Sequence, residues 1–365
     1  MIRLKYHFEP KKGWMNDPNG LCFSKGKYHI FFQHYPHENR AIHMHWGHAV
    51  SDDLLNFNEL DIALTPDEWY ENSGGCFSGS AIEKDGVLYL FYTSVSHTLK
   101  QTQSVAYSTD GINFIKHPNN PIIKESPLGD NTDFRDPKVI EYNATYYMVC
   151  GAALDNRGKI LLFKSKDLID WSFVNVLYEN TDYISTPECP DLFYLDGKWV
   201  LMFSAMGVDN KTSVFLVGDF NGESFRIDKK CFCEYGDHFY APQTFLDEKG
   251  RRIMIGWMYS WSKIPNKDDE SAGSLSIPRE LHIVDNTLTA FPIDEAKHLL
   301  KTESEYVRIK DGVINVSCNG EVIAEYDTNT IDEIDRIDRI DILTDTKSVE
   351  IFVNNGKMNF SRLLF

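Results

Sequence analysis

The stretch Ala81-Ile82-Glu83-Lys84-Asp85-Gly86-Val87-Leu88-Tyr89-Leu90-Phe91-Tyr92-Thr93 reads as two β-strands joined by a tight turn. Large and β-branched side chains fit a pleated, half-buried surface, and Asp-Gly accepts the positive φ that a two-residue hairpin turn requires. The same phrase occurs five times in all. Its second strands begin near Gly26 (residues 27–33), Gly86 (87–93), Asn143 (144–150), Gly197 (198–204) and Gly250 (251–257), at intervals of 60, 57, 54 and 53 residues. A second phrase follows three of these hairpins at spacings of 57 and 57: Ser51-Asp52-Asp53-Leu54, Ser108-Thr109-Asp110-Gly111 and Ser165-Lys166-Asp167-Leu168. Few segments carry the i, i+3, i+4 apolar stripe of a helix. Units of three or four strands at this period predict an all-β chain built as a five-bladed β-propeller over residues 1–295.

A propeller makes a geometric demand, because the innermost strand of every blade lines one central channel. Counting back nine residues from each turn gives Asp17, Phe77, Glu188 and Ala241, with Asp136 seven residues back in blade three. Four of these entries contain proline: Asp17-Pro18, Asp136-Pro137, Glu188-Cys189-Pro190 and Tyr240-Ala241-Pro242. A single Asp before Pro is usually a turn, but three carboxylates at one level of a repeat predict a shared funnel.

Clustered carboxylates cannot all ionise freely, so one tends to stay protonated while another remains an anion. That division suits cleavage of a glycosidic bond, in which one carboxylic acid protonates the leaving oxygen and a carboxylate attacks or activates water. Sugar sites also need flat apolar platforms and polar groups for hydroxyls. Trp14, Trp46, Phe77, Tyr240 and Trp257 lie near the blade entries, with Asn16, Gln33, Ser78 and Arg135 as polar candidates. Aromatic residues make up 13% of the chain, so more than half are expected to serve only the packing between blades.

Composition narrows the partners. Lys and Arg total 37 against 54 Asp and Glu, a formal charge of −17 over 365 residues, with a hydrophobic fraction of 42%. Nucleic acid would be repelled by that mean field. The longest apolar stretches, such as residues 146–154, fall short of the ~20 residues of a membrane-spanning helix. Residues 1–10 hold Arg3, Lys5 and Glu9 without an apolar core of about seven, so no secretory signal is expected. Seven cysteines without a Cys-x-x-Cys pair read as reduced thiols in a cytoplasmic protein. His43, His45 and His48 alternate beside Trp46 as strand-edge hydrogen bonders rather than metal ligands, so no metal is expected.

Trp14-Met15-Asn16-Asp17-Pro18-Asn19-Gly20, Phe134-Arg135-Asp136-Pro137 and Glu188-Cys189-Pro190 resemble the three signatures of glycoside hydrolase family 32. The resemblance continues through His45-Trp46-Gly47-His48, Cys76-Phe77-Ser78-Gly79-Ser80, Tyr240-Ala241-Pro242-Gln243 and Ser274-Leu275-Ser276-Ile277-Pro278-Arg279-Glu280, covering residues 6–295. Residues 44–48 and Pro66-Asp67-Glu68-Trp69-Tyr70 are most similar to bacterial sucrose and sucrose-6-phosphate hydrolases. The resemblance implies a five-bladed propeller and retaining hydrolysis of β-fructofuranosides such as sucrose or its 6-phosphate, without a cofactor. It implies Asp17 as nucleophile, Glu188 as acid/base, and Asp136 with Arg135 as the groups that bind fructose hydroxyls. An exo-fructanase, a fructosyltransferase and a non-catalytic sugar-binding propeller are the alternatives.

The chain departs from the family at its end, where a C-terminal β-sandwich of roughly 150 residues is usual. Only 73 residues follow Pro292. Residues 300–365 are expected to form a short, reduced sandwich-like appendage. Ser348-Val349-Glu350-Ile351-Phe352-Val353-Asn354-Asn355-Gly356 resembles the family's closing hairpin, while Ile331, Ile334, Ile337 and Ile340 recur at a spacing that fits neither strand nor helix. Two or more antiparallel strands ending in a hairpin near residues 344–347 are expected to pack on blade five or on a second copy of the chain.

Overall fold

The computed structural model describes residues 3–180, 185–206, 212–261, 265, 269–331, 334 and 336–365. Five antiparallel sheets follow one another along the chain. Their innermost strands are Gly13–Ser24, Gly75–Lys84, Phe134–Tyr142, Glu188–Leu195 and Tyr240–Leu246, and each pairs with the strand that follows it through a hairpin. Both residues of the first turn are left-handed, Lys25 at φ 52° and Gly26 at 74°, and Asp85-Gly86 and Asp196-Gly197 repeat this geometry. The expected hairpin turns are therefore present. The second repeated phrase is a self-satisfied loop. Ser51 Oγ accepts the N–H groups of Asp53 and Leu54, Asp53 Oδ1 accepts those of Leu55 and Asn56, and Ser108/Asp110 and Ser165/Asp167 do the same.

The core lies between the blades. Along Lys27–Tyr35 the side chains alternate, as strand geometry demands. Tyr28, Ile30 and Phe32 pack with Phe245, Ile253 and Ile255 of blade five, whereas Phe31 packs with Leu88, Leu90 and Tyr92 of blade two. Comparable clusters fill the other three junctions, and they hold Phe91, Phe134, Phe163, Phe193, Phe203, Phe215 and Phe239. Much of the aromatic content is thus spent on blade packing.

The inner strands touch round a closed ring, the first also contacting the fifth. Side chains tie them together. Asn19 Oδ1 accepts Gly79 N–H at 3.0 Å, Ser80 Oγ donates to Pro137 O at 2.8 Å, and Gln243 Nε2 donates to Gly79 O at 2.8 Å. The buried Lys138 ammonium donates to Asp191 at 2.9 Å and Thr244 O at 2.6 Å, joining three blades. Ser271–Ala272 then pairs in parallel with Gly13 and Trp14, so a segment that follows blade five's second strand closes the ring on blade one. Gly273 must be glycine here, since its φ is 90° and a Cβ would lie 2.0 Å from Met15 O.

The appendage has two three-stranded sheets, Val307–Lys310, Val313–Cys318 and Glu321–Asp327, then Ile340–Thr344, Ser348–Val353 and Met358–Leu363. The tail therefore does not end in the hairpin near 344–347. A third strand follows it, and Asn359 locks that strand to the propeller, its N–H donating to Cys233 O at 2.9 Å and its carbonyl accepting Tyr235 N–H at 2.8 Å. Ile331, Ile334, Ile337 and Ile340 pack partly buried on the tail's core, while Asp332, Glu333 and Asp335 lie outside the described residues.

Candidate active site

Each inner strand slips register at the same level. Regular pairing breaks between Met15 and Pro18, Phe77 and Gly79, Arg135 and Lys138, Glu188 and Asp191, and Tyr240 and Gln243. Bulges bend a strand and re-aim its side chains, and here they face the channel mouth. Proline follows Asp136, Cys189 and Ala241, which stand at φ 64°, 46° and 48°. A non-glycine residue in that region costs of order 1–3 kcal/mol, strain typical of functional sites.

This register corrects the level of the carboxylates. Glu188 stands with Phe77, Arg135 and Tyr240 at the last paired position, while Asp136 stands with Ser78, Cys189 and Ala241 inside the bulge. A count back from the turn misses this because the bulge adds residues to one strand only. The site has two tiers rather than one row.

The tiers meet around Cys189. Its backbone N–H donates to Asp136 Oδ2 at 2.9 Å and its thiol lies 3.5 Å from Asp17 Oδ2. Ser78 Oγ donates to that same Asp17 oxygen at 2.6 Å, leaving buried Asp17 Oδ1 without a partner. Glu188 is held from both sides. Arg135 donates to Oε1 through Nη2 at 3.0 Å and Nε at 3.3 Å, and Tyr240 Oη donates to Oε2. Asp133 fixes the far side of Arg135 at 2.7 Å, and Gln101 Oε1 accepts from Arg135 Nη1 at 3.3 Å.

Burial sets the charge states. It pushes the Asp136 carboxyl up to about 7 despite the adjacent Arg135, with Glu188 and Asp17 adding to the rise. Burial also raises Asp17, and Ser78, Asn16 and Cys189 oppose that rise by hydrogen bonding to its anion. The buried Cys189 thiol is pushed well above its ordinary range, so it stays a thiol.

The remaining candidates divide into lining and support. Asn16 accepts the Trp14 indole N–H at 2.6 Å beside Asp17, and Phe77 is partly open. Gln33 is buried and donates to Cys76 O at 3.0 Å. Trp46 and Trp257 have no exposed surface, so neither offers an open sugar platform. Trp46 donates to Phe77 O at 3.0 Å, and Trp257 packs beneath Trp14 and Trp261. Sequence reasoning missed Thr93, Gln101 and Asp133. Asp133, two residues before Arg135 on one strand approach, could have been found from spacing, whereas Thr93 and Gln101 reach in from blade two with no local signal. His48 Nε2 meets His29 Nδ1 at 3.0 Å, and no cluster suited to a metal ion occurs among the described residues.

Residues 7–292 match the model of the glycosyl hydrolases family 32 N-terminal domain. The chain belongs to glycoside hydrolase family 32. Among family 32 relatives, a sucrose-6-phosphate hydrolase of Zymomonas mobilis is 35% identical over 326 residues, covering 82% of this chain and 63% of that protein. A raffinose invertase of Escherichia coli is 39% identical over 316 residues, covering 80% and 65%. The chain thus spans under two thirds of the length of these curated relatives. A family 32 β-fructofuranosidase of Bombyx mori, solved with sucrose, superposes with a TM-score of 0.85 at 30% identity, covering 100% of this chain and 89% of that one.

Proposed function

We propose that the protein is a retaining β-fructofuranosidase acting on sucrose-type β-fructofuranosides. The observation that carries this reading is the convergence of Asp17, Asp136 and Glu188 round Cys189, with one Asp17 oxygen left unbonded. The Asp17 carboxylate attacks the anomeric carbon of the fructosyl unit while Glu188 gives its proton to the leaving oxygen. Water, deprotonated by Glu188, then releases fructose from Asp17 with net retention. Asp136 near half-protonation can both donate to and accept from fructose hydroxyls, and Arg135 keeps Glu188 in place. The chemistry needs no cofactor.

On this reading residues 1–295 are the catalytic unit and residues 300–365 its support. No disulfide joins the cysteines among the described residues, which suits a reducing cytoplasm, and no helix among them is long and apolar enough to cross a membrane. Exposed Val322 and Ile309 on the outer tail sheet are where a second copy would dock, a contact that sedimentation analysis tests directly. The decisive assay incubates the protein with sucrose in aqueous methanol. Methyl β-fructofuranoside is expected beside fructose and glucose, and formation of only the α-anomer, or no cleavage, refutes the mechanism.

A further inference from the structure

The strand Phe134–Tyr142, which carries Arg135 and Asp136, pairs with a strand on one side only, Thr145–Leu154. Its other edge faces blade two without strand pairing. Buried backbone groups need partners, and side chains of blade two supply them. Gln101 Oε1 accepts Phe134 N–H at 2.8 Å, Gln103 Nε2 donates to Phe134 O at 2.9 Å, and Thr93 Oγ1 accepts Asp136 N–H at 2.8 Å. Ser80 Oγ continues the row, donating to Pro137 O at 2.8 Å and accepting Val139 N–H at 3.0 Å. Five main-chain groups round the bulge are thus held by four side chains in place of a strand.

The hydrogen bonds have one consistent polarity. The Phe134 carbonyl only accepts, so the Gln103 amide faces it with its nitrogen and turns its oxygen to Thr93 Oγ1, 2.9 Å away. Thr93 gives its only hydroxyl proton to that oxygen, which leaves its own oxygen to accept from Asp136 N–H. Thr93 and Gln103 have no exposed surface, so bulk water does not stand in for a lost partner. The last bond of this chain falls at a strained residue. Asp136 stands at φ 64°, and Pro137 after it has no N–H to offer. Asp136 N–H is therefore where blade two grips the bulge, while Cys189 N–H of blade four holds the carboxylate at 2.9 Å.

We propose that Thr93 and Gln103 are positioning residues for the reaction: through the Asp136 main chain they fix the bulge that aims the Asp136 carboxylate at fructose and Arg135 at Glu188. The inference rests on the hydrolase reading above and extends it to residues that act through Asp136. Gln101 supports the same bulge, since its Oε1 also takes Arg135 Nη1 at 3.3 Å.

The test measures sucrose turnover by the full chain across pH 5–9 for the wild type, Thr93→Val and Thr93→Ser. Thr93→Val keeps the shape of the side chain but strands both Asp136 N–H and Gln103 Oε1. Its kcat is expected to fall about 10–100-fold, with KM changed by less than about threefold. A part-unfolded sample loses kcat alike at every pH, so the pH profile separates aim from folding. In the wild type the Asp136 carboxyl, among Arg135, Glu188 and Asp17, stands at about 7, and kcat/KM should inflect there. A released bulge lets the carboxylate turn toward water, so in Thr93→Val the inflection should move about one pH unit toward acid. Thr93→Ser keeps the oxygen and should restore both the inflection and kcat to within about threefold of wild type. If Thr93→Val does not fold, Gln103→Asn, which draws the amide back from Phe134 O, should show the same loss and the same shift. A variant of lower Tm with unchanged kcat and an unmoved inflection overturns the inference and leaves the hydrolase intact. So does a Thr93→Ser enzyme as impaired as Thr93→Val. A wild type that cleaves no sucrose at any pH sinks the hydrolase reading itself, and this inference with it.

Discussion

The backbone N–H of Cys189 donates to Oδ2 of Asp136 over 2.9 Å, a bond between the bulges of adjacent blades. It fixes the angle between two inner strands at the depth where Asp17 and Glu188 approach each other. Because the donor is main chain, no substitution at position 189 other than proline removes it. What sets the donor's direction is the left-handed backbone of Cys189, at φ 46°. The geometry of this candidate site is thus built on bulge conformation first and side-chain identity second.

Asp17→Asn keeps an acceptor for Ser78 and removes the attacking oxygen anion. Sucrose turnover is expected to fall at least about a thousandfold with an unchanged far-ultraviolet spectrum. Near wild-type turnover by a pure sample would discard Asp17 as the nucleophile.

Asp136→Asn should separate activity from stability. The folded-state value of about 7 stands above the ordinary 3.8. Between those values the folded chain holds more protons than the unfolded chain, so this group's contribution to stability falls as pH rises from about 4 to 7. Asn cannot ionise and still accepts from Cys189. The variant should gain about 1–2 kcal/mol at pH 8, read as a higher Tm, while losing about a hundredfold or more in kcat. A lower Tm at pH 8 would show that the Asp136 anion is well solvated in the site.

Tyr240→Phe removes one of the two contacts that hold Glu188 and leaves the ring in place. With Arg135 alone on the other oxygen, the proton donor samples more orientations. A fall of roughly 5–20-fold in kcat is expected, with KM changed by less than about threefold. A change in KM alone would reassign Tyr240 to ground-state binding.

The propeller was legible because its signals are local. Asp85-Gly86 and Asp196-Gly197 announce their turns within two residues, and alternation along residues 27–35 announces which side chains enter which blade junction. Asp17, Asp136 and Glu188 were legible because proline marks their bulges. The two-tier register was not, since the extra residues of a bulge are invisible to a count from the turn. Trp46 and Trp257 could not be told from open platforms by position alone, because their burial depends on neighbouring blades. Most hidden of all was the junction with the tail, where His7 meets Asp345 across 338 residues of sequence.

That junction carries the last prediction. His7 has no exposed side-chain surface, and its Nδ1 lies 2.8 Å from Asp345 and its Nε2 2.6 Å from Glu350. Glu350 also binds Arg279, whose other arm meets Glu234 at 2.6 Å, so one buried chain of charges joins the N-terminal segment, two blades and the tail. Burial alone pulls the His7 imidazolium down, but the hydrogen bonds it donates to Asp345 and Glu350, with their negative charge, outweigh it and lift the group from 6.5 to about 9. A raised folded-state value means that the stabilisation is fully present below pH 6.5 and is lost as pH climbs through 9. Wild-type Tm should therefore decline between pH 6.5 and 9.5, by an amount corresponding to about 2–3 kcal/mol. His7→Gln should flatten that decline. Glu350→Ala strands His7 Nε2 and the Ile277 N–H without an acceptor, leaves Arg279 Nη2 with Ser361 Oγ alone, and should cost about 3–5 kcal/mol at pH 7. The funnel residues make none of these bonds, so well below its Tm the variant should retain sucrose turnover within about threefold of wild type. An unchanged Tm across that pH range in the wild type, with Glu350→Ala as stable as its parent, would show that the tail is held by its apolar contacts and not by this chain of charges.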